Sequence, residues 1–369
     1  MNTTSLTKTI KFIERHLDLL PSHQQSHDVN KFALIFYSIV SLSALNQDVT
    51  DKYYKYIKWI RSHYIRITIN NDKKISGFVG SLTLKTDNVT AISLPNTLFA
   101  LLTLLIIGDE TIFMNDKIKH EIKEFVSHCQ IKTHGGFVST LDYHTSEPSP
   151  TDSHDLRFAY IAVAILYILG CRSDEDFKKY IDIDKLLGYI TIQQCDSGAY
   201  GEENEPHAGY TSCAISILYI LKKLDTLSSG FKQKTVEWLL MRQVSNEGCM
   251  KLQNGSNENY DLIDHGGFQG RENKFADTCY AFWCLNSLKL LCGNSWKQLI
   301  NYKLVEKYLT NTTQNRLIGG YQKNNETDPD LYHTCLGIAA VQLIHNNFDG
   351  ALFIPAPVAA EYNLLYSNQ

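Results

Sequence analysis

Two stretches of this chain lie on one another without a gap. "DLRFAYIAVAILYILG" starts at residue 155 and "HAGYTSCAISILYILKKL" at 207, an offset of 52 that puts "AILYIL" (164–169) on "SILYIL" (216–221). The segment returns at offset 67, where "TSCA" (211–214) meets "TCYA" (278–281), and at offset 56 as "TCLG" (334–337). Loops with glycines and an aromatic recur too: "SGFVG" (76–80), "HGGFVS" (134–139), "SGAYGE" (197–202), "HGGFQG" (265–270) and "GGYQK" (319–323). The last four each precede an apolar run. Repetition on this scale means an array, and a period slightly above 50 residues suits two helices and a substantial loop per unit.

Apolar residues run almost around the helix that follows each loop, which predicts burial on most sides. Intervening helices such as "FKQKTVEWLLMRQ" carry more charge on one face and read as outer helices. Helix pairs with buried inner members predict an all-α fold, an α/α barrel (toroid) of about twelve helices. An open solenoid of stacked pairs satisfies the same repeats. The extra length at offset 67 falls in 244–264, polar, rich in Asn and Gly and without period, so it reads as an inserted surface loop. Nothing reads as an interdomain linker, and residues 1–369 are expected to form one domain.

Composition narrows the function. A formal net charge of -4 argues against a nucleic-acid partner. Nine cysteines, with no CxxC pair, suggest free thiols in a reducing, cytoplasmic setting. The start "MNTTSLTKTIKFIERHLDLLP" reads as an amphipathic helix rather than a signal peptide. No stretch approaches the roughly 20 apolar residues of a membrane span, so an integral membrane protein is not expected.

The repeat alignment places Asp277 and His333 at one position, just before the shared "TC", so both are expected at the starts of successive inner helices. In a barrel those helices start at one rim, where Asp277, Cys279 and His333 converge. Asp, Cys and His suit a zinc ion, and three protein ligands leave the open position of a catalytic site. Residues i and i+2 lie about 200° apart on a helix, so Asp277 has to sit in the loop or first turn. The same residues also read as a buried thiol, an N-cap and a hydrogen-bonded core histidine.

Arg157, His207, Arg271, Lys274 and Lys323 fall in or beside the loops feeding the inner helices, with His207 and Lys274 equivalent by offset. Cations beside helix N-termini suit a multiply charged phosphate, and singly each also reads as a solvated loop charge. With no Walker or Rossmann motif present, a diphosphate fits better than a nucleotide. Tyr160, Tyr210, Tyr280, Trp283 and Tyr332 near the helix starts suit an apolar chain below a charged head, or simply core packing.

These segments resemble the β subunits of the protein prenyltransferases, over the chain from about residue 10. "GGFQGRENKFADTCYAFW" and "DPDLYHTCLGIAA" are similar to that family's zinc-bearing segments, and "HAGYTSCAI" and "DLRFAY" to its preceding repeats. The resemblance implies an α–α barrel of about twelve helices and one zinc ion on Asp277, Cys279 and His333. It implies that His207, Arg271, Lys274 and Tyr280 hold a prenyl diphosphate, and that Tyr160, Trp283 and Arg157 line the isoprenoid and peptide cavity. The reaction implied is thioether formation at a cysteine near a protein C terminus, with diphosphate released.

Two departures from the farnesyl enzyme point to the type I geranylgeranyl branch. Lys323 stands where the farnesyl enzyme has a magnesium-associated Asp, so magnesium is not expected to be required. Ala33, in "NKFALIFYSIVSLSAL" (30–45), falls where that enzyme has a Trp flooring the cavity, leaving room for a 20-carbon chain. The expected donor is geranylgeranyl diphosphate. The expected acceptors are CaaX proteins ending in Leu, such as Rho-type small GTPases, and the expected partner is a prenyltransferase α subunit in a heterodimer. The alternatives are a Rab geranylgeranyltransferase or farnesyltransferase β subunit, or a non-enzymatic α/α-barrel binding module. A terpene cyclase of similar barrel type would need a DxDD string, which is absent.

Overall fold

The computed structural model describes residues 3–69, 72–149, 151–245 and 261–367. Contacts divide the chain into two compact units, Met1–Leu19 with Gln193–Ala356, and Leu20–Ile192 with Pro357–Gln369. In the second of these the buried helices are Lys31–Ala44, Leu94–Ile107 and Leu156–Ile168. Leu94–Ile107 shows why they are inner helices: twelve of its fourteen residues are buried, so it has no polar stripe to offer water. Each Leu or Ile so buried contributes roughly 1.5–3 kcal/mol relative to exposure. Outer helices Asp116–His128 and Ile183–Ile192 bury only one side.

One element of this unit departs from the all-α expectation. Tyr64–Ile69 and Lys73–Phe78 form an antiparallel hairpin with Ile67 opposite Ile75, packed on Asp116–His128. "YIRITI" is β-branched with alternating burial, a two-residue period that a search for helical repeats passes over. Arg66 Nε donates to Glu121 on that helix at 2.5 Å and fastens the hairpin.

The other unit holds the inner helices Ala208–Ile220, Thr278–Cys292 and Leu331–Ile344, the second packed against both others. Its outer helices are Ser229–Leu240, Tyr302–Tyr308 and the N-terminal Thr3–Asp18. A glutamine after an outer helix fastens one repeat to the next at two places. The Gln243 amide donates to Gly266 O at 3.4 Å and Asn301 O at 3.0 Å, and its carbonyl accepts from Asn301 N–H at 3.2 Å. In the other unit Gln130 holds Gly135 and Asp182 in the same way.

Gly266 has φ +97°, and a Cβ there would fall on the backbone of Leu304 in the next outer helix. Gly319, at φ +88°, lies as closely on Lys8 and Thr9. Thr3–Asp18 therefore serves as the outer helix for the final repeat, and Lys8 Nζ donates to Arg316 O at 2.8 Å.

Of the expected 244–264 insertion, residues 246–260 lie outside the described residues. At its far end a short turn, Leu262–Asp264, leads into the glycine loop. Among the described residues no helix is long and apolar enough to cross a membrane, and none of the eight described cysteines forms a disulfide.

Candidate active site

Thr211, Thr278 and Thr334 are equivalent in the repeat, yet their helices start at different distances from them, at Ala208, Thr278 and Leu331. The middle helix starts a turn late. Residues 274–276 instead close a loop through a Gln269–Ala276 bridge, with Asn273 at φ 55° and Ala276 N–H donating to the buried Asp264 at 2.8 Å. The late start puts Asp277 at the N-cap in extended conformation, where Oδ1 accepts the Cys279 N–H at 2.8 Å. The N-cap and ligand readings of Asp277 are therefore compatible, since one carboxylate caps the helix and still faces the Cys279 side chain's surroundings.

Two positional expectations are corrected by this register. His333 does not begin its helix: Asp330 is the N-cap and His333 the third residue. His207 and Lys274 are not structurally equivalent, because His207 is an N-cap and Lys274 lies three residues before one. Sequence offsets align side chains, whereas the first hydrogen-bonded turn depends on what the preceding loop does.

Asp277, Cys279 and His333 nonetheless come together, with one donor atom from each lying within 4.8 Å of the others. Asp277 and Cys279 are buried and His333 nearly so. Asp330 was not expected here, and it orients the cluster. It accepts the His333 N–H at 2.8 Å on Oδ1 and, on Oδ2, a hydrogen bond from the ring Nδ1 at 2.6 Å. That leaves Nε2 facing Asp277 Oδ1 at 3.3 Å. An Asp three residues before a His at a helix start is the signal that could have found it.

The donor set fits a divalent cation. Burial alone would lower the His333 pKa, but the hydrogen bonds and charges of Asp277 and Asp330 outweigh it and hold it up to about 9. Burial pushes the Cys279 thiol well up, and the Asp277 carboxylate adds to this, while Tyr332 and the Lys323 charge pull the other way. Two carboxylates here demand positive charge, and without an added cation they take it from a protonated imidazole while the thiol stays protonated. A zinc ion would replace that proton on Nε2 with thiolate, imidazole and carboxylate as donors. The carboxylate behind Nδ1 is the usual outer support of a metal-ligating histidine. Asp330→Asn is expected to keep the cap, since Asn caps as well as Asp, and to weaken binding of a divalent cation at this cluster by roughly 10–100-fold. Chelator competition measures this, and unchanged affinity would remove Asp330 from the site.

Beside the cluster, His207 Nδ1 accepts backbone N–H bonds from Gly209 at 3.0 Å and Tyr210 at 3.4 Å. An accepting Nδ1 assigns the proton to Nε2, which donates to the Tyr280 oxygen at 3.2 Å. The loop backbone lies on Tyr280: a Cβ at Gly270 would fall within its ring, and Gly270 O accepts the Ala208 N–H at 2.9 Å. Arg271 extends from this loop to an ion pair with Glu205, two residues before His207. Lys274 is exposed on the same loop, its carbonyl held by Gln269 Nε2 at 2.5 Å.

The next hairpin pairs Tyr321–Gln322 with Pro329–Asp330. Lys323 follows its first strand, exposed, with its carbonyl accepting the Thr278 N–H at 2.9 Å. Its backbone thus lies at the start of the Cys279 helix. Trp283, half-buried one turn beyond Tyr280, stands 5.1 Å from Phe282 and 6.3 Å from Phe353 between ring centroids.

The remaining expected residues belong to the other unit. Arg157 is exposed and forks onto Asp155, the N-cap of its helix, with Nη2 at 2.6 Å from Oδ2. Tyr160 is half-buried on the same helix, and Ala33 half-buried as the third residue of Lys31–Ala44.

Comparison with known proteins bears on this arrangement. The family described as "Prenyltransferase alpha-alpha toroid domain" matches residues 5–364. The chain is 29% identical to the geranylgeranyl transferase type-1 subunit beta of Arabidopsis thaliana, over 91% of this chain and 84% of that protein. It is 28% identical to the Dictyostelium discoideum protein of the same name, over 90% and 89%. Among solved structures, the Candida albicans protein geranylgeranyltransferase-I complexed with GGPP is similar at 30% identity and a TM-score of 0.82, covering 98% of both chains.

Proposed function

The chain belongs to the prenyltransferase alpha-alpha toroid family, and from that premise we propose that it is the catalytic β subunit of a type I protein geranylgeranyltransferase. It transfers a 20-carbon prenyl group from geranylgeranyl diphosphate to the cysteine of C-terminal CaaX sequences ending in Leu, in a heterodimer with a prenyltransferase α subunit. The observation that carries this reading is the Asp277–Cys279–His333 cluster, whose Cys279 immediately precedes Tyr280, the residue that His207 holds.

The metal proposed for the cluster is zinc, which when bound stabilises a substrate thiol as thiolate at neutral pH. The protein's own groups do the rest. Asp330 fixes the His333 ring and Asp277 braces the first turn that carries Cys279. Because His207 donates to the Tyr280 oxygen, the Tyr280 hydroxyl proton points elsewhere and can meet a diphosphate oxygen. Arg271 and Lys274 supply positive charge where the departing diphosphate gains negative charge, with Arg271 exchanging Glu205 for the anion. Lys323 supplies the charge that magnesium would otherwise bring. For Trp283, and separately for Tyr160, Arg157 and Ala33 of the other unit, the family resemblance supports roles in accommodating the prenyl group and the peptide. Transfer in the cytoplasm accords with eight described cysteines that form no disulfide.

The test is prenyl transfer by this chain co-expressed with a matching α subunit, comparing 20- and 15-carbon diphosphates on peptides ending in Leu and Ser, with and without magnesium. Magnesium-independent transfer of the 20-carbon group to the Leu peptide is expected. Preference for the 15-carbon donor and the Ser peptide would make it a farnesyltransferase subunit. No transfer to either peptide without an escort protein would turn the reading to Rab substrates.

A further inference from the structure

Arg242 carries a charge that the mechanism above leaves unused. Its side chain is fully buried, at 0% exposure, just beyond the end of the outer helix Ser229–Leu240. Burying a guanidinium is costly unless something is gained from where its charge is directed. It lies 4.6 Å above the Trp238 ring, and its Nε donates to Trp238 O at 3.3 Å. Nη1 has no hydrogen-bond partner among the described residues. Nη2 reaches Glu272 Oε1 at 3.5 Å.

Glu272 follows Arg271 and precedes Lys274 by two residues, on the loop that the Gln269–Ala276 bridge closes. The base of that loop is already fixed to Arg242 by its backbone, since Gln269 N–H donates to Arg242 O at 2.9 Å. The guanidinium then takes hold near the tip. We infer that Arg242 is a positioning residue for the donor site: it draws Glu272 inward and so presents Arg271 and Lys274 to the diphosphate. This rests on the proposed role of Arg271 and Lys274.

The inference has an unusual sign. Removing an acidic residue between two cations should by charge alone tighten binding of an anion. If Glu272 instead anchors the loop, removing it should weaken that binding. In the heterodimer, Glu272→Ala is expected to raise the dissociation constant and KM of geranylgeranyl diphosphate about fivefold, leaving the KM of the acceptor peptide unchanged. Inorganic diphosphate should weaken in parallel, which separates head-group recognition from the prenyl cavity.

Arg242→Met replaces the buried charge with an apolar side chain of similar length, a change often neutral or favourable to folding. It should reproduce the Glu272→Ala effect, and the double variant should be no worse than either single one, because the two residues act as a unit. Arg271→Ala keeps the premise in view. If it weakens diphosphate binding while Glu272→Ala tightens it or leaves it unchanged, the positioning inference alone is overturned. If Arg271→Ala and Lys274→Ala both leave binding unchanged, the loop is not the donor site and both readings fall.

Discussion

Cys279→Ala is expected to strip the proposed heterodimer of the proposed zinc ion at working concentrations and, with it, of prenyl transfer. Among the described residues three protein donors converge, so each carries a large share of the affinity of the proposed site. Structural zinc sites with four ligands bind with an apparent 10–16 kcal/mol near pH 7, and one donor's part is about 3 kcal/mol, roughly 100-fold in affinity. The fold should survive: the side chain is small, buried and near in volume to Ala, and its backbone N–H remains bonded to Asp277. Zinc content after dialysis, chelator competition and transfer rate should fall together while circular dichroism stays the same. A Cys279→Ala enzyme retaining both metal and rate would show that the thiol is an ordinary core cysteine.

The second large effect concerns stability. Gly266→Ala should cost about 3 kcal/mol, because an L side chain is strained at φ +97° and its Cβ would strike the Leu304 backbone, which cannot swing aside. Gly188 provides the contrast, on the outer helix Ile183–Ile192 with nothing within 4 Å of a Cβ. Alanine there should stabilise by roughly 0.5–1 kcal/mol through helix propensity. Denaturant midpoints should move in opposite directions. Equal shifts would mean that the glycine loop does not press on the outer helix.

These two positions also show what could be read from the sequence. The glycine loops and apolar helices repeat in the chain as in the fold, because a backbone pressed against a backbone tolerates only glycine and a helix buried all round tolerates few charges. The all-α toroid and the meeting of Asp277, Cys279 and His333 were legible for that reason. Helix starts were not. The Cys279 helix begins a turn late because the loop before it closes on itself through Gln269 and Ala276, and an offset between aligned residues carries no such information. The parts of Asp330 and Glu205 rest on paired geometry, one with a histidine ring and the other with an arginine sixty-six residues away. The hairpin at Tyr64–Phe78 was hidden because its period is two.

The use of Thr3–Asp18 as the outer helix of the last repeat has a consequence for biosynthesis. Its bond from Lys8 to the carbonyl of Arg316 spans 308 residues. Closing a loop of that length costs only about 1.6 kcal/mol more than closing one of about 50 residues, so the entropy penalty is modest. Timing is the larger matter. Thr3–Asp18 has no mate until the residues around Arg316 have followed it from the ribosome. Its apolar face, with Phe12 and Ile13, must be kept from other partners over that interval, and the Gly319 turn cannot settle until Thr3–Asp18 returns.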